Sequence, residues 1–437
     1  MNTKVLLTVI FGALTVVACS EQASEATVSN ADQVVDGAAS AVTEVVSAAP
    51  EAAATTETMA PSEAVAEVAA AAADVAELQP ETIGTVETLP EKYPPEWILV
   101  QDGAFFNMFD GKVAVVDASS DDSARRFKGM FNAALIGQFV QAKSKPEMYV
   151  AETFLSRGSR GERTDVLTIY DKRTLSPIGE VVIPPKRSSN MPTEYNLQLA
   201  DDEKLALVYN FTPAASVTVV DLEKREMLGE VPIPGCALAY PMAGRGFSTV
   251  CGDGTMLSVK IGADAESSSS NRTESFFDFE NDPLMEKATQ IGNTTYFPTF
   301  LANIYPIDMS GDVAVPGEPW SMLGAGDEGW RPGGIQLSGA DAAGNLYVLM
   351  HPEGYDGSHK DPGVEVWVFD VEKQQRIKRV KLELPAITMG VTQGENPLII
   401  TTNINLAVDV HDVNSGAYLR TLNDIGVQTA FMLHGAK

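Results

Sequence analysis

Four histidines and three cysteines are all that this 437-residue chain offers of the side chains that most often bind metals or serve as nucleophile and base. His351, His359, His411 and His434 are scattered, and only the first two fall in one stretch. No H-E-x-x-H, G-x-S-x-G, Walker loop or Cys–His cluster is present, so neither a zinc centre nor a hydrolase nucleophile is expected. Carboxylate pairs occur at Asp121-Asp122 and Asp201-Asp202, in turn-forming sequence where Asp belongs for backbone reasons. Gly324, Gly326 and Gly329 match the dinucleotide spacing. Asp327 and Glu328 would face the pyrophosphate, however, and no helix can begin at Arg331-Pro332-Gly333-Gly334, which rejects that reading. The chain is expected to carry no catalytic residue, metal or cofactor of its own.

The cysteines point to export instead. Lys4 precedes an apolar run, Val5 to Val17, too short to span a bilayer, which needs ~20 residues. The run ends Val16-Val17-Ala18-Cys19-Ser20, which resembles a bacterial lipobox with Cys19 as the acylated residue; the other reading is a plain secretory signal. With Cys19 so assigned, Cys236 and Cys251 remain, flanking the loop Tyr240 to Gly246. A turn between two strands there would set the thiols opposite each other, and an oxidising compartment favours their disulfide.

From Ser20 to Pro95 the chain is Ala-, Val-, Glu-, Thr- and Ser-rich and has no aromatic residue before Tyr93. It holds fourteen acidic residues and one Lys, nearly half of the formal net charge of −28. Too few large apolar groups are present to offset ordering entropy, so a disordered, self-repelling tether is expected. The domain reading is a signal peptide over 1–18, an acidic linker over 19–95 and one large domain over 96–437. The acidic balance argues against a nucleic-acid partner.

The elements that must position any site are read from a repeat. Leu167-Thr168-Ile169-Tyr170-Asp171, followed by Gly179 and Pro184, returns as Val217-Thr218-Val219-Val220-Asp221 with Gly229 and Pro234 at the same offsets. Looser copies end at Asp117, Asp308, Asp370 and Asp412, and a worn one lies at Leu257 to Ile261. Period-two alternation marks strands, and the Asp can cap the next turn by accepting N–H groups two or three residues on. Successive Asp copies fall 54, 50, 87, 62 and 42 residues apart. Seven units at roughly the 40–50-residue period of propeller blades predict an all-β, seven-bladed β-propeller.

The loop Ser156 to Asp165 is unusually basic, with Arg157, Arg160 and Arg163. It is either a solvated hairpin or a surface for an acidic partner. His359-Lys360 and Trp330-Arg331 are further candidates for a partner interface.

Several of these stretches resemble the heavy subunit of the tryptophan tryptophylquinone-dependent amine dehydrogenases, the methylamine and aromatic amine dehydrogenases. They are Arg157 to Val166, Ile183-Pro184-Pro185-Lys186-Arg187, Cys251-Gly252-Asp253-Gly254, Gly329 to Gly334, and Met350-His351-Pro352 with His359-Lys360, in the family's order from about Trp97 onward. The resemblance implies a periplasmic complex of two heavy and two light subunits, with the quinone cofactor and the catalytic base in the light subunit. It implies oxidative deamination of a primary amine to an aldehyde and ammonia, with electrons passing to a cupredoxin. The cysteine pair falls where the family's heavy chain has a disulfide. The heavy chain would hold the light subunit and wall part of the substrate channel; where the family commonly has Phe, this sequence has Leu135. A lipidated Cys19 and a long tether depart from the family and suggest a membrane-anchored version. The reading from a different class is a non-enzymatic envelope lipoprotein that uses the propeller as a binding scaffold.

Overall fold

The computed structural model describes residues 88–437 apart from Ser267 and Asp424. The expected signal segment 1–18, Cys19 and residues 19–87 of the linker lie outside the described residues. Residues 88–95, placed with the linker on composition, pack against the strands. Tyr93 is buried with its ring 5.3 Å from that of Trp97, and its hydroxyl donates to the Lys172 carbonyl at 2.5 Å. The Leu89 N–H donates to the Arg173 carbonyl at 2.8 Å. Tyr93 is the first aromatic side chain after Ser20 and the first fully buried residue among those described, with Leu89 half-buried against the same core.

The described chain is almost wholly strand and turn, with one α-helical turn at Ser123–Arg126 and three short 3-10 turns. Four sheets have four antiparallel strands each. The first joins Trp97–Asp102, Lys112–Asp117 and Phe127–Asn132 to the last strand of the protein, Ala430–Gly435. Pairing of Ile98 with Gly435 and of Val100 with Leu433 thus ties the two ends of the domain into one sheet. The second holds Gln138–Gln141, Glu147–Leu155, Arg163–Asp171 and Pro177–Ile183; the third Leu197–Ala200, Leu205–Asn210, Ser216–Asp221 and Glu226–Pro232; the fourth Cys236–Met242, Gly246–Cys251, Met256–Lys260 and Ser269–Arg272. A fifth sheet of five strands runs from Thr289–Ile291 to Trp320–Ser321.

The remaining strands form one eight-stranded sheet, so five blade-sized sheets stand alone where the repeat predicts seven. The cause is Gln375–Val391, a single strand of 17 residues. Its first part pairs with Gly363–Asp370 (Asp370 opposite Gln375, Glu365 opposite Lys381), its last part with Leu398–Asn403 (Ala386 opposite Asn403, Val391 opposite Ile399). Between Gln375 and Met389 the only turn-forming residue is Pro385, so the ladder runs on instead of breaking.

Each well-kept repeat copy is a central strand that ends at its Asp, and the caps are made. Asp171 accepts the Arg173 and Thr174 N–H groups at 2.9 and 2.8 Å, and Asp221 those of Glu223 and Lys224 at 3.0 and 2.9 Å. In the worn copy the equivalent position is Ile261, which is buried. The two faces of these strands feed different cores. Val113 and Val115 pack with Phe131, Phe139 and Met148, whereas Ala114 and Val116 pack with Ile400, Val408 and Val410. Apolar residues on both faces are what a sheet needs when a neighbour covers each side.

Candidate functional site

In an antiparallel sheet of this order, the connection into each sheet and the connection between its second and third strands emerge at the same end. Residues 103–111, 133–137, 156–162, 322–337 (interrupted by the two-residue strand Arg331–Pro332) and 352–362 are such connections, so Leu135, Arg160, Trp330, Arg331, His359 and Lys360 all lie at that end.

Leu135 is half-buried and sits in a left-handed backbone conformation, φ +51°, followed by Ile136 at +52°. Its N–H donates to the Met108 carbonyl at 2.7 Å, and its carbonyl accepts from Arg187 Nη2 at 2.7 Å. Beneath it lies a buried polar group. Glu152 Oε2 accepts the Ala134 N–H at 2.9 Å, and Oε1 accepts the Thr168 and Tyr170 hydroxyls at 2.7 and 3.2 Å. Burial raises the Glu152 carboxyl above its ordinary range, opposed by those donors and by the Arg187 charge. Burial also pulls Arg187 down to about 10, with Asp165 opposing.

Arg163, a candidate for an outward contact, is turned to its own sheet: its Nε and Nη2 each lie 2.7 Å from the carboxylate of buried Asp165. Arg160 is exposed and engages the hairpin through its carbonyl, which accepts the Arg157 N–H at 3.0 Å. Of the basic loop, Arg157 and Arg160 therefore face solvent and Arg163 does not serve as a free cation.

Trp330 and Arg331 belong to a second cluster, on the eight-stranded sheet. The Trp330 ring lies 5.2 Å from Trp367, with the Arg379 guanidinium within 4.6 and 4.7 Å of the two rings. Asp327 receives Arg376 at 2.7 Å and Arg379 at 2.9 Å, and Glu365 binds both Trp367 Nε1 and Arg379 Nε. Asp327 also accepts the Gly324 N–H at 3.0 Å, so the carboxylate that disqualified a phosphate loop closes that loop on itself. Arg331 donates to the Trp330 carbonyl at 2.7 Å. His359 is half-buried; its carbonyl accepts the Gly334 N–H at 3.1 Å, and burial, then the charges of Lys287 and Lys360, lower its pKa. Lys287 reaches the Gly334 carbonyl at 2.7 Å and is itself pulled down to about 8 by burial. Lys360 is exposed. The structure thus joins Arg163 to the Leu135 loop and His359 to the Arg331 strand, and leaves those two groups on different sheets.

Cys236 and Cys251 face each other in register on adjacent strands and form a disulfide, Sγ–Sγ 2.00 Å. Among the described residues no group of three or more His, Cys, Asp or Glu could hold a metal ion.

Glu152, Asp165 and Arg187 were not singled out by sequence reasoning. Their signal was Glu152-Thr153 directly after the apolar run Met148 to Ala151, and Asp165 directly before Val166; Thr153 and Asp165 then pair in register.

The sequence profile of the methylamine dehydrogenase heavy chain family matches residues 96–434. The chain belongs to that family. Among its heavy-chain relatives, the methylamine dehydrogenase heavy chain of Methylorubrum extorquens is 27% identical over 312 residues, covering 70% of this chain and 76% of the relative. That of Paracoccus versutus is 27% identical over 334 residues, covering 75% and 77%. A crystal structure of a putative 6-phosphogluconolactonase from Bacteroides fragilis superposes with a TM-score of 0.50 at 12% identity, over 81% of this chain and 99% of that one, a likeness of fold alone. Heavy-chain membership makes the chain a subunit of an amine dehydrogenase complex and accounts for the order in which the matched stretches occur.

Proposed function

We propose that this chain is the heavy subunit of an exported quinoprotein amine dehydrogenase, the scaffold on which a light subunit carries out the oxidation. The observation that carries the proposal is the heavy-chain family match over 96–434. In the assembled enzyme a primary amine and water become an aldehyde, ammonia, two protons and two electrons, the electrons passing to a cupredoxin. Tryptophan tryptophylquinone in the light subunit would supply the two-electron chemistry. The work of this chain is to bind that subunit, to wall the amine channel with Leu135, and to keep water from the path.

The distribution of apolar surface supports the end bearing the Leu135 loop as the docking face. Phe106 (83% exposed), Phe211 (55%), Met191, Phe279, Leu301 and Tyr355 lie on connections at that end. Among the described residues, the turns at the opposite end carry no exposed large apolar side chain. Other exposed apolar side chains, such as Val182 and Ile377, lie on strands, but among the loops they gather at one end, and such a gathering marks a surface that is covered in the assembly. Arg157 and Arg160 at its edge suit acidic groups on the partner. Cys19 would tether the complex to a membrane facing the periplasm.

Co-expression with a small Cys- and Trp-rich exported protein, followed by size-exclusion chromatography, tests this assembly. A complex of two heavy and two light chains is expected. A heavy chain that elutes alone in its presence rules the assignment out.

A further inference from the structure

One guanidinium holds the loop that carries Leu135. Arg187 is 3% exposed, and each of its five N–H donors is engaged. Nε donates to Thr153 Oγ1 at 2.9 Å; Nη1 to the Ile136 and Ser188 carbonyls at 3.1 and 3.2 Å; Nη2 to the Leu135 and Ala134 carbonyls at 2.7 and 3.4 Å. Three of these acceptors are consecutive carbonyls. They belong to a segment that needs holding, because Leu135 and Ile136 are both left-handed and a β-branched residue is rarely found there. Glu152 grips the same segment from its other side through the Ala134 N–H. Asp165 closes the set by accepting the Thr153 hydroxyl at 2.8 Å while it holds Arg163. Arg187, Glu152 and Asp165 are thus buried together, with the half-exposed Arg163 guanidinium pairing Asp165 from the solvent side, so the buried charges are paired, the condition under which they persist. A lysine could not substitute, since one ammonium cannot reach five acceptors spread around a planar fork.

We propose that Arg187 is a positioning residue for amine selectivity: by fixing the carbonyls of Ala134, Leu135 and Ile136 it sets where the Leu135 side chain stands in the channel. This rests on the assignment of Leu135 to the channel wall made above. Arg187 touches no substrate; it acts through the backbone it holds. Small backbone displacements at a site that orients a reactant are costly, so the consequence is read in selectivity.

The test uses the full chain co-expressed with its light subunit, as wild type, Arg187→Lys, Thr153→Val and Leu135→Ala. For each, kcat/KM is measured with methylamine and with benzylamine. Arg187→Lys is expected to change the ratio of the two values about tenfold, mostly through KM, in the same direction as Leu135→Ala. Thr153→Val, which removes one of the five contacts, moves it the same way by less. A double variant, Arg187→Lys with Leu135→Ala, shifts the ratio little beyond Leu135→Ala alone, because both act on one wall. A ratio unchanged in Arg187→Lys while Leu135→Ala alters it overturns the proposal, as does an equal loss of kcat for both amines. Should Arg187→Lys fail to fold, an unchanged ratio in Thr153→Val overturns it instead. A ratio that Leu135→Ala leaves untouched removes the channel assignment and this inference with it, whereas loss of amine oxidation in the wild-type complex strikes the proposed function itself.

Discussion

The Arg379 guanidinium lies 4.6 Å from the centre of the Trp330 ring while donating to Asp327 at 2.9 Å. One side chain thereby fastens both ends of the segment Asp327 to Trp330 to the first part of the strand Gln375–Val391. Asp327 is 5% exposed at its side chain, and its pKa is lowered: burial opposes the shift, and the Arg376 hydrogen bond and the charges of both arginines overcome it.

Removing that carboxylate takes away the anion shared by Arg376, stacked 4.2 Å from the centre of the Trp367 ring, and Arg379, which keeps Glu365. Asp327→Ala is expected to destabilise the protein by about 3 kcal/mol, at the low end for a broken buried pair because the arginines are partly exposed. Urea denaturation measures the loss, and hydrogen exchange at Gly324 to Trp330 shows whether the segment is freed locally before the domain unfolds.

The disulfide closes a loop of 15 residues between neighbouring strands. The double variant Cys236→Ser, Cys251→Ser should lose about 3 kcal/mol in the chain-entropy account. Denaturation of the variant beside wild type, with and without reductant, checks this; reductant should weaken wild type alone.

Lys287 has its pKa lowered from 10.5 to about 8, chiefly by burial. The folded protein then binds fewer protons than the unfolded chain between pH 8 and 10.5, so stability attributable to this group rises with pH across that window. In Lys287→Met the rise should be shallower, although the variant also loses the bond to the Gly334 carbonyl. Unfolding free energies at pH 7.5, 8.5 and 9.5 decide it.

The turn-capping aspartates act in the opposite window. Asp412 is held below its usual range, first by the Ser415 hydroxyl and then by the Ser415 N–H; Asp221 is lowered first by the Lys224 N–H. Their contribution is present above the ordinary carboxylate range and is lost as pH falls through the lowered values. Each replacement by Ala should cost about 1 kcal/mol at pH 7 and progressively less as pH falls through the lowered values, which parallel denaturation over a descending pH series would show.

These caps are also where the sequence was most informative. A carboxylate that bonds N–H groups two and three residues ahead is a local interaction, so Asp117, Asp171 and Asp221 announce their turns without knowledge of the rest. Burial on both strand faces was equally legible, because Val113 and Ala114 are both apolar while their partners lie in different sheets. The blade count was not. It depends on whether hydrogen bonding breaks between Lys381 and Ala386, and alternation continues through that stretch on either outcome. The candidate interface divided on the same principle: exposure of Arg160 follows from a Gly- and Ser-rich hairpin, but the inward turn of Arg163 depends on Asp165, whose burial is set by Thr153 and Arg187 on other segments. Arg187 itself, in a Pro-Pro-Lys-Arg run, carries no periodic signal. Its role exists only once Ala134 to Ile136 fold over it.

The central claim is that this chain builds a docking face and a channel wall for amine oxidation performed with a light subunit. The direct measurement is amine-dependent reduction of an artificial electron acceptor by the co-purified complex, recorded together with its visible spectrum. Dye reduction that requires both subunits and a primary amine, with a quinone absorption band that the amine bleaches, is the predicted result. A co-purified complex with no such band, or amine oxidation by the isolated heavy chain, would contradict the account.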